Sequence, residues 1–187
     1  MKIMSTALAL AVLLAAATMT AQAQQNLQVV VPGNASGGFG VLVGGPVVPL
    51  VPAINVSGPG TVTVTYVSGT VFIGYGLGTG PEGIPCIHCR AYELPLQEAN
   101  GLGGGNANND GALMGVFVSQ ARINRSGFQA VDGTKNLVRV GIKPDALFLI
   151  GSGKTFEVGE AGTIFLGIND GYVGDNSGGF TVEVTGP

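Results

Sequence analysis

The sequence predicts an all-β protein, and three observations carry that prediction. Apolar and β-branched residues recur with a period of two, while the 3.6-residue period of an amphipathic helix is nearly absent. Gly, Pro, Asn and Asp clusters separate these runs, as turns do in a sandwich or barrel. The composition agrees, with 33 glycines, no tryptophan and only 10% charged residues among 187.

Along the chain the predicted strands are LQVVV (27–31), TVTVTYV (61–67), TVFIGY (70–75), ALMGVFV (112–118), LVRV (137–140), ALFLI (146–150), TIFLGI (163–168) and FTVEV (180–184). The second is the clearest, placing Val62, Val64 and Tyr66 on one face and threonines on the other. Two sheets facing each other would bury these faces, which makes a β-sandwich the expected architecture. Residues 32–60 carry Pro32, Pro46, Pro49, Pro52 and Pro59, suited to edge strands or extended loops but not to central strands. RAYELPLQEA (90–99) is the one helix candidate, and Pro95 at its middle reduces it to a short turn. NGLGGGNANNDG (100–111) reads as a loop. No fixed-period repeat is present.

Residues 1–23 read as a secretory signal peptide: Lys2, an apolar run from Ala7 to Ala17, then the small-residue triplet Ala21-Gln22-Ala23 before Gln24. The apolar run is shorter than the ~20 residues of a membrane span, and no later stretch qualifies, so no membrane span is expected. The expected destination is outside the cytoplasm, periplasmic or extracellular. Residues 24–187 have the size of a single domain, with 24–58 as an irregular Pro- and Gly-rich N-terminal part. Without Lys2, seven basic residues face eleven acidic ones, a net charge of −4. That balance argues against nucleic acid and anionic membranes, both of which require a basic footprint. No charged residue occurs between Gln24 and Pro81, yet the stretch is apolar and lacks the polar composition of disorder.

Several short motifs resolve to ordinary structure. CIHC (Cys86 to Cys89) is the only cysteine pair, and in an exported chain it predicts one disulfide closing a small loop. A redox role would place it at the start of a helix in a βαβ unit, and haem attachment would put the histidine after the second cysteine. GSGKT (151–155) lacks the first glycine of a phosphate-binding loop, Phe148 standing in its place, and reads as a β-turn. His88 is the only histidine, and no nucleophile motif accompanies it, so an enzyme is not expected. Asn34, Asn55 and Asn124 begin N-x-S sequons, which matter only in a host that glycosylates them.

The stretch GTIFLGINDGYVGDNSGGFTVEV (162–184) sets Asn169, Asp170, Asp175 and Asn176 within eight positions, between two apolar runs. Asn, Asp and Gly are the usual turn residues, and a metal-free turn is the simpler reading from chemistry alone. Calcium offers the alternative, because it takes six to eight oxygens from carboxylates, amide carbonyls and backbone. Asp170, Asp175 and Asn176 could supply side-chain oxygens, and the spacing is not that of an EF-hand.

This stretch resembles the C-terminal motif of the bacterial galactophilic lectins and their wider β-sandwich relatives. PGTVTVTYVSGTVFIGYG (59–76), GPEGIP (80–85), GALMGVF (111–117) and VGEAGTIFLGIND (158–170) follow the same order. The resemblance implies a galactose-binding-like jelly-roll β-sandwich with one Ca2+ ion at an edge loop, its shell completed by two neighbouring sugar hydroxyls. Carried over residue by residue, it implies metal and carbohydrate ligands at Asp170, Asp175 and Asn176. It adds a backbone carbonyl from Tyr75, and another from Tyr172 or Val173. Tyr75 or Tyr172 could also pack on the sugar. The lectin loop is two residues longer, and its first paired ligand is asparagine where this chain has Asp175. Gln97 and His88 are only nominal counterparts of the sugar-contacting glutamine and histidine. The expected function is therefore non-catalytic, calcium-dependent carbohydrate binding by an exported lectin-like protein. The alternative is a structural or adhesive surface or matrix protein in which calcium only stiffens a loop, and in which the uncharged Val- and Pro-rich segment 24–81 pairs with another protomer as an exposed edge, giving an oligomer.

Overall fold

The computed structural model of the protein describes residues 23–35, 49–85, 109–126, 147–170 and 173–187. Within them the strands are β1 (Gln25–Pro32), β2 (Val51–Val56), β3 (Gly60–Ile73), β4 (Leu77–Thr79), β5 (Ile84–Pro85), β6 (Asn109–Asp110), β7 (Ala112–Ser119), β8 (Phe148–Leu149), β9 (Gly153–Val158), β10 (Gly162–Asn169) and β11 (Ser177–Gly186). One short helix, α1 (Gln120–Ser126), follows β7. All pairings are antiparallel.

The larger sheet runs β1-β11-β3, and the far edge of β3 is shared by β9 along its first half and β4 along its end. The second sheet runs β2-β10-β7-β8, and β5 with β6 form a small ribbon. Alternation decides which side chains meet between the two sheets. Val31 from β1, Val62, Val64, Val71 and Ile73 from β3, and Phe180, Val182 and Val184 from β11 point inward. They pack on Ile54 and Val56 from β2, Leu113 from β7, and Ile164, Leu166 and Ile168 from β10. The protein is thus an all-β sandwich, as its periodicity predicts. Tyr66 joins the same face half-buried, its ring edge-on to Phe180 at 5.8 Å and its hydroxyl donating to Gly69 O at 2.8 Å. The outward threonines of β3 bond along the sheet surface, Thr61 to Glu157 at 2.6 Å and Thr63 to Thr155 at 3.0 Å.

The second sheet is buried on both faces. Every residue of β10 is buried, and Phe165 on its outer face joins a second cluster with Leu50, Ala112, Met114, Val116, Val118, Leu147 and Leu149, capped by Ile123 of α1. This accounts for ALMGVFV and TIFLGI reading as continuous apolar runs, the pattern of strands covered on both sides. Thr163 and Asn169 are the polar residues buried in β10, and Thr163 donates to Asn55 Oδ1 at 2.7 Å, as burial of a hydroxyl requires.

Four expectations differ from the structure. The runs at 61–67 and 70–75 belong to one strand, β3, whose register with β11 shifts between Thr181 and Val182, a bulge that lets it bend and continue. Its last predicted residues form a 3₁₀ turn, Gly74–Gly76. Beyond the Gly151-Ser152 turn, GSGKT enters β9, where Lys154, Phe156 and Val158 take the inward positions. Helix α1 has no sequence counterpart among the predicted elements. As predicted for 27–31 and for the proline-bearing stretch after it, β1 and β2 are edge strands, and Pro52 sits on β2 beside a bulge. Residues 90–99 and 137–140 lie outside the described residues.

Candidate functional site

Antiparallel pairing brings the end of β10, the start of β11, the end of β1 and the end of β3 to one end of the sandwich. Asp170 follows β10 directly and is half-buried. Asp175 closes a 3₁₀ turn, Val173–Asp175, and Asn176 is the last residue before β11. Tyr75 lies in the 3₁₀ turn between β3 and β4. Tyr172 is outside the described residues, as are Cys86, Cys89, His88 and Gln97.

Two contacts tie these pieces together. The Asp175 carboxylate lies against Gly74, so close that a β-carbon there would stand 2.8 Å from Asp175 Oδ2. That sets an exposed carboxylate beside the backbone of the Tyr75 turn. Asn176 Nδ2 donates to Gly33 O at 2.9 Å, just past the end of β1. Gly33 N in turn donates to Gly178 O at 3.0 Å. Gly178 has φ +74°, and any side chain there would strike Thr70 O, so the chain turns into β11 only because this position is glycine.

The Asn176 bond has a consequence for its other atom. A carbonyl oxygen can only accept, so the amide face toward Gly33 must be the NH2 group, and no flip is available. Oδ1 therefore points away from Gly33, and it is buried without a hydrogen-bond partner. A buried acceptor left in this state costs about 1–3 kcal/mol, and native structures rarely retain one without a reason. A cation would satisfy it, and Asp170 and Asp175 are the acidic residues nearest it along the chain. Oxygen donors of this kind, with two formal charges between them, would suit a hard divalent ion. Among the described residues no group of three or more His, Cys, Asp or Glu side chains is placed to hold a metal, so any cation here would draw on amide and backbone oxygens beside one or two carboxylates.

Asn169 does a different job from its neighbours. It is 2% exposed, its Nδ2 donates to Asn109 O at 3.2 Å, and its carbonyl accepts from Gly111 N at 2.7 Å. It anchors the end of β10 to the β6–β7 corner and is a structural tie. The same corner introduces a residue that sequence reasoning missed. Asp110 adjoins Gly111 and has a buried Oδ1, so a third carboxylate belongs to this end of the fold. Its only sequence signal is the Asp-Gly pair that ends the glycine-rich stretch 100–111. Glu82 is a second omission, its Oε1 accepting from Ser152 N at 2.6 Å and its carbonyl from Asn109 Nδ2 at 2.7 Å. No helix among the described residues is long and apolar enough to cross a membrane. No family model matches the chain, and no curated protein matches its sequence.

Proposed function

We propose that the protein is an exported, non-catalytic, calcium-dependent carbohydrate-binding module, with the sandwich wound as a jelly roll of the galactose-binding type. The observation that carries this reading is the buried, unsatisfied Oδ1 of Asn176, held in place by its own amide on Gly33. Asp170 and Asp175 supply the charge, and the backbone around Tyr75 and Tyr172 supplies carbonyls. Calcium, when bound, would contribute open coordination positions for two neighbouring hydroxyls of a sugar. The chain's own part is to hold its oxygens in one loop, to accept hydroxyl protons at the aspartates, and to offer a tyrosine face to the ligand.

A glycan array probed with calcium and again with chelator tests the reading. Binding to galactose-type glycans that disappears with chelator is the expected result. A structural or adhesive role is the second reading, and the uncharged edge at β1 favours it. No glycan binding, together with a large loss of thermal stability in chelator, would select that role. Melting indifferent to both additions would remove calcium from the account.

A further inference from the structure

A sheet edge displays unsatisfied backbone groups, and proteins that stay monomeric blunt each edge by shortening it, charging it, bulging it or placing proline in it. Among the described residues, four of the sandwich's five edges carry such a device. β4 has three residues and β8 two. β9 bears Lys154 and Glu157. β2 contains Pro52 and lies against a bulge. The fifth, β1, is eight residues long, uncharged, and regularly paired with β11 over its whole length. Its proline is the last residue. Its Val30 is 64% exposed and its Leu27 40%, although Leu27 belongs to the inward-facing row.

The direction of its backbone groups follows from one hydrogen bond. Gly33 N donates to Gly178 O, and these residues stand opposite each other when the β1–β11 register is extended by one. Hydrogen-bonded and non-bonded pairs alternate along an antiparallel ladder. Val31, Val29 and Leu27 therefore bond to β11, while Asn26, Gln28 and Val30 turn their N–H and C=O groups outward.

We infer that β1 pairs antiparallel with β1 of a second copy about a twofold axis at Gln28, joining the larger sheets of two protomers into one. In this register Gln28 faces the partner's Gln28, and Asn26 faces the partner's Val30, so every outward N–H meets an outward carbonyl. Leu27 then lies opposite the partner's Val29 in a non-bonded pair, the closer kind, and its exposed surface is covered. The strand has no charge to repel its own copy, and a twofold contact needs only such a self-complementary surface. The pairing does not involve Asp170, Asp175 or Asn176, so it stands or falls separately from the calcium reading.

Sedimentation equilibrium of the purified protein, in calcium and in chelator, tests it with two variants. Wild type should associate to a dimer in both buffers. Gln28→Pro removes an outward N–H without touching the β11 ladder, and Gln28→Lys sets two like charges opposite each other at the axis. Both should be monomeric, with wild-type circular dichroism showing that they remain folded. Hydrogen exchange supplies a reading that needs no variant: amides of Asn26, Gln28 and Val30 should slow at least tenfold between dilute and concentrated wild type. A monomer at all concentrations, a dimer that survives in a folded variant, or fast exchange at those three amides in the dimer would overturn the pairing.

Discussion

At the scale of single residues, two atoms of Asn176 set what this end of the sandwich can hold. One is a donor fixed on Gly33 O and the other a buried acceptor facing away from it. Asn176→Asp keeps the shape but puts a carboxylate oxygen against Gly33 O. In chelator it should lose about 1–3 kcal/mol, as expected when a buried bond becomes a clash of acceptors. Urea unfolding of the two proteins side by side gives the number, and an unchanged midpoint would mean that the Gly33 contact is absent. Gly111 makes a second residue-scale test. It has φ +76°, and a β-carbon on it would strike Thr79 and come within 3.0 Å of Ile73 Cγ2. Gly111→Ala should therefore combine backbone strain with overpacking and cost about 2–3 kcal/mol. Its effect should appear in thermal melting as a fall of roughly 4–12 °C.

At the scale of elements, the sequence displayed some strands more openly than others, and the physics of burial explains which. TVTVTYV alternates because β3 has one face on the core and one in solvent. TIFLGI and ALMGVFV do not alternate, because β10 and β7 are covered on both faces, and period alone cannot tell such runs from a buried helix. β9 is masked in the sequence because its first residues belong to the GSGKT motif, although Lys154, Phe156 and Val158 alternate properly with Thr155 and Glu157. Helix α1 is seven residues long and contributes only Ile123 to a core, too little to leave a helical period. The doubly buried second sheet makes a direct prediction. Phe165 is 1% exposed on the outer face of β10, and Phe180 is fully buried on the inner face of β11. Phe165→Ala should cost about 3–5 kcal/mol, in the same range as Phe180→Ala, where a solvent-facing strand residue would cost a fraction of that. Chemical denaturation of both variants checks it. The CIHC motif makes another prediction at this scale: Cys86 and Cys89 should be oxidised to each other, and unreduced peptide mapping by mass spectrometry should find no free thiol.

For the molecule as a whole, the sandwich was legible because a two-sheet core is dictated by alternation, which any reader of the chain can count. The site was legible only in part. Asp170, Asp175 and Asn176 are proposed together because they lie in one stretch, and the structure adds contacts that no spacing could give. Gly33, 143 residues from Asn176, fixes its amide, and Gly74 lies under Asp175. Asp110 stands on β6 at the same end of the fold, at the close of a stretch whose composition reads only as a loop. Long-range contacts of this kind arise from strand pairing, and pairing partners are not written in local sequence.

The central claim, that this end of the sandwich holds calcium in the folded state, is tested most directly by thermal melting of wild type and Asp170→Asn in calcium and in chelator. A ligand that binds only the folded state stabilises it by about 2.7 kcal/mol at a hundredfold excess over its dissociation constant. For a domain of this size each kcal/mol moves the midpoint by roughly 2–4 °C, so calcium should raise wild type by about 5–10 °C. Asp170→Asn should lose most of that rise, while its midpoint in chelator stays equal to wild type or slightly above, as relief of repulsion between Asp170 and Asp175 in the ion-free loop would give. A wild-type midpoint that is the same in calcium and in chelator would contradict the claim and leave Asp170, Asp175 and Asn176 as the residues of a turn.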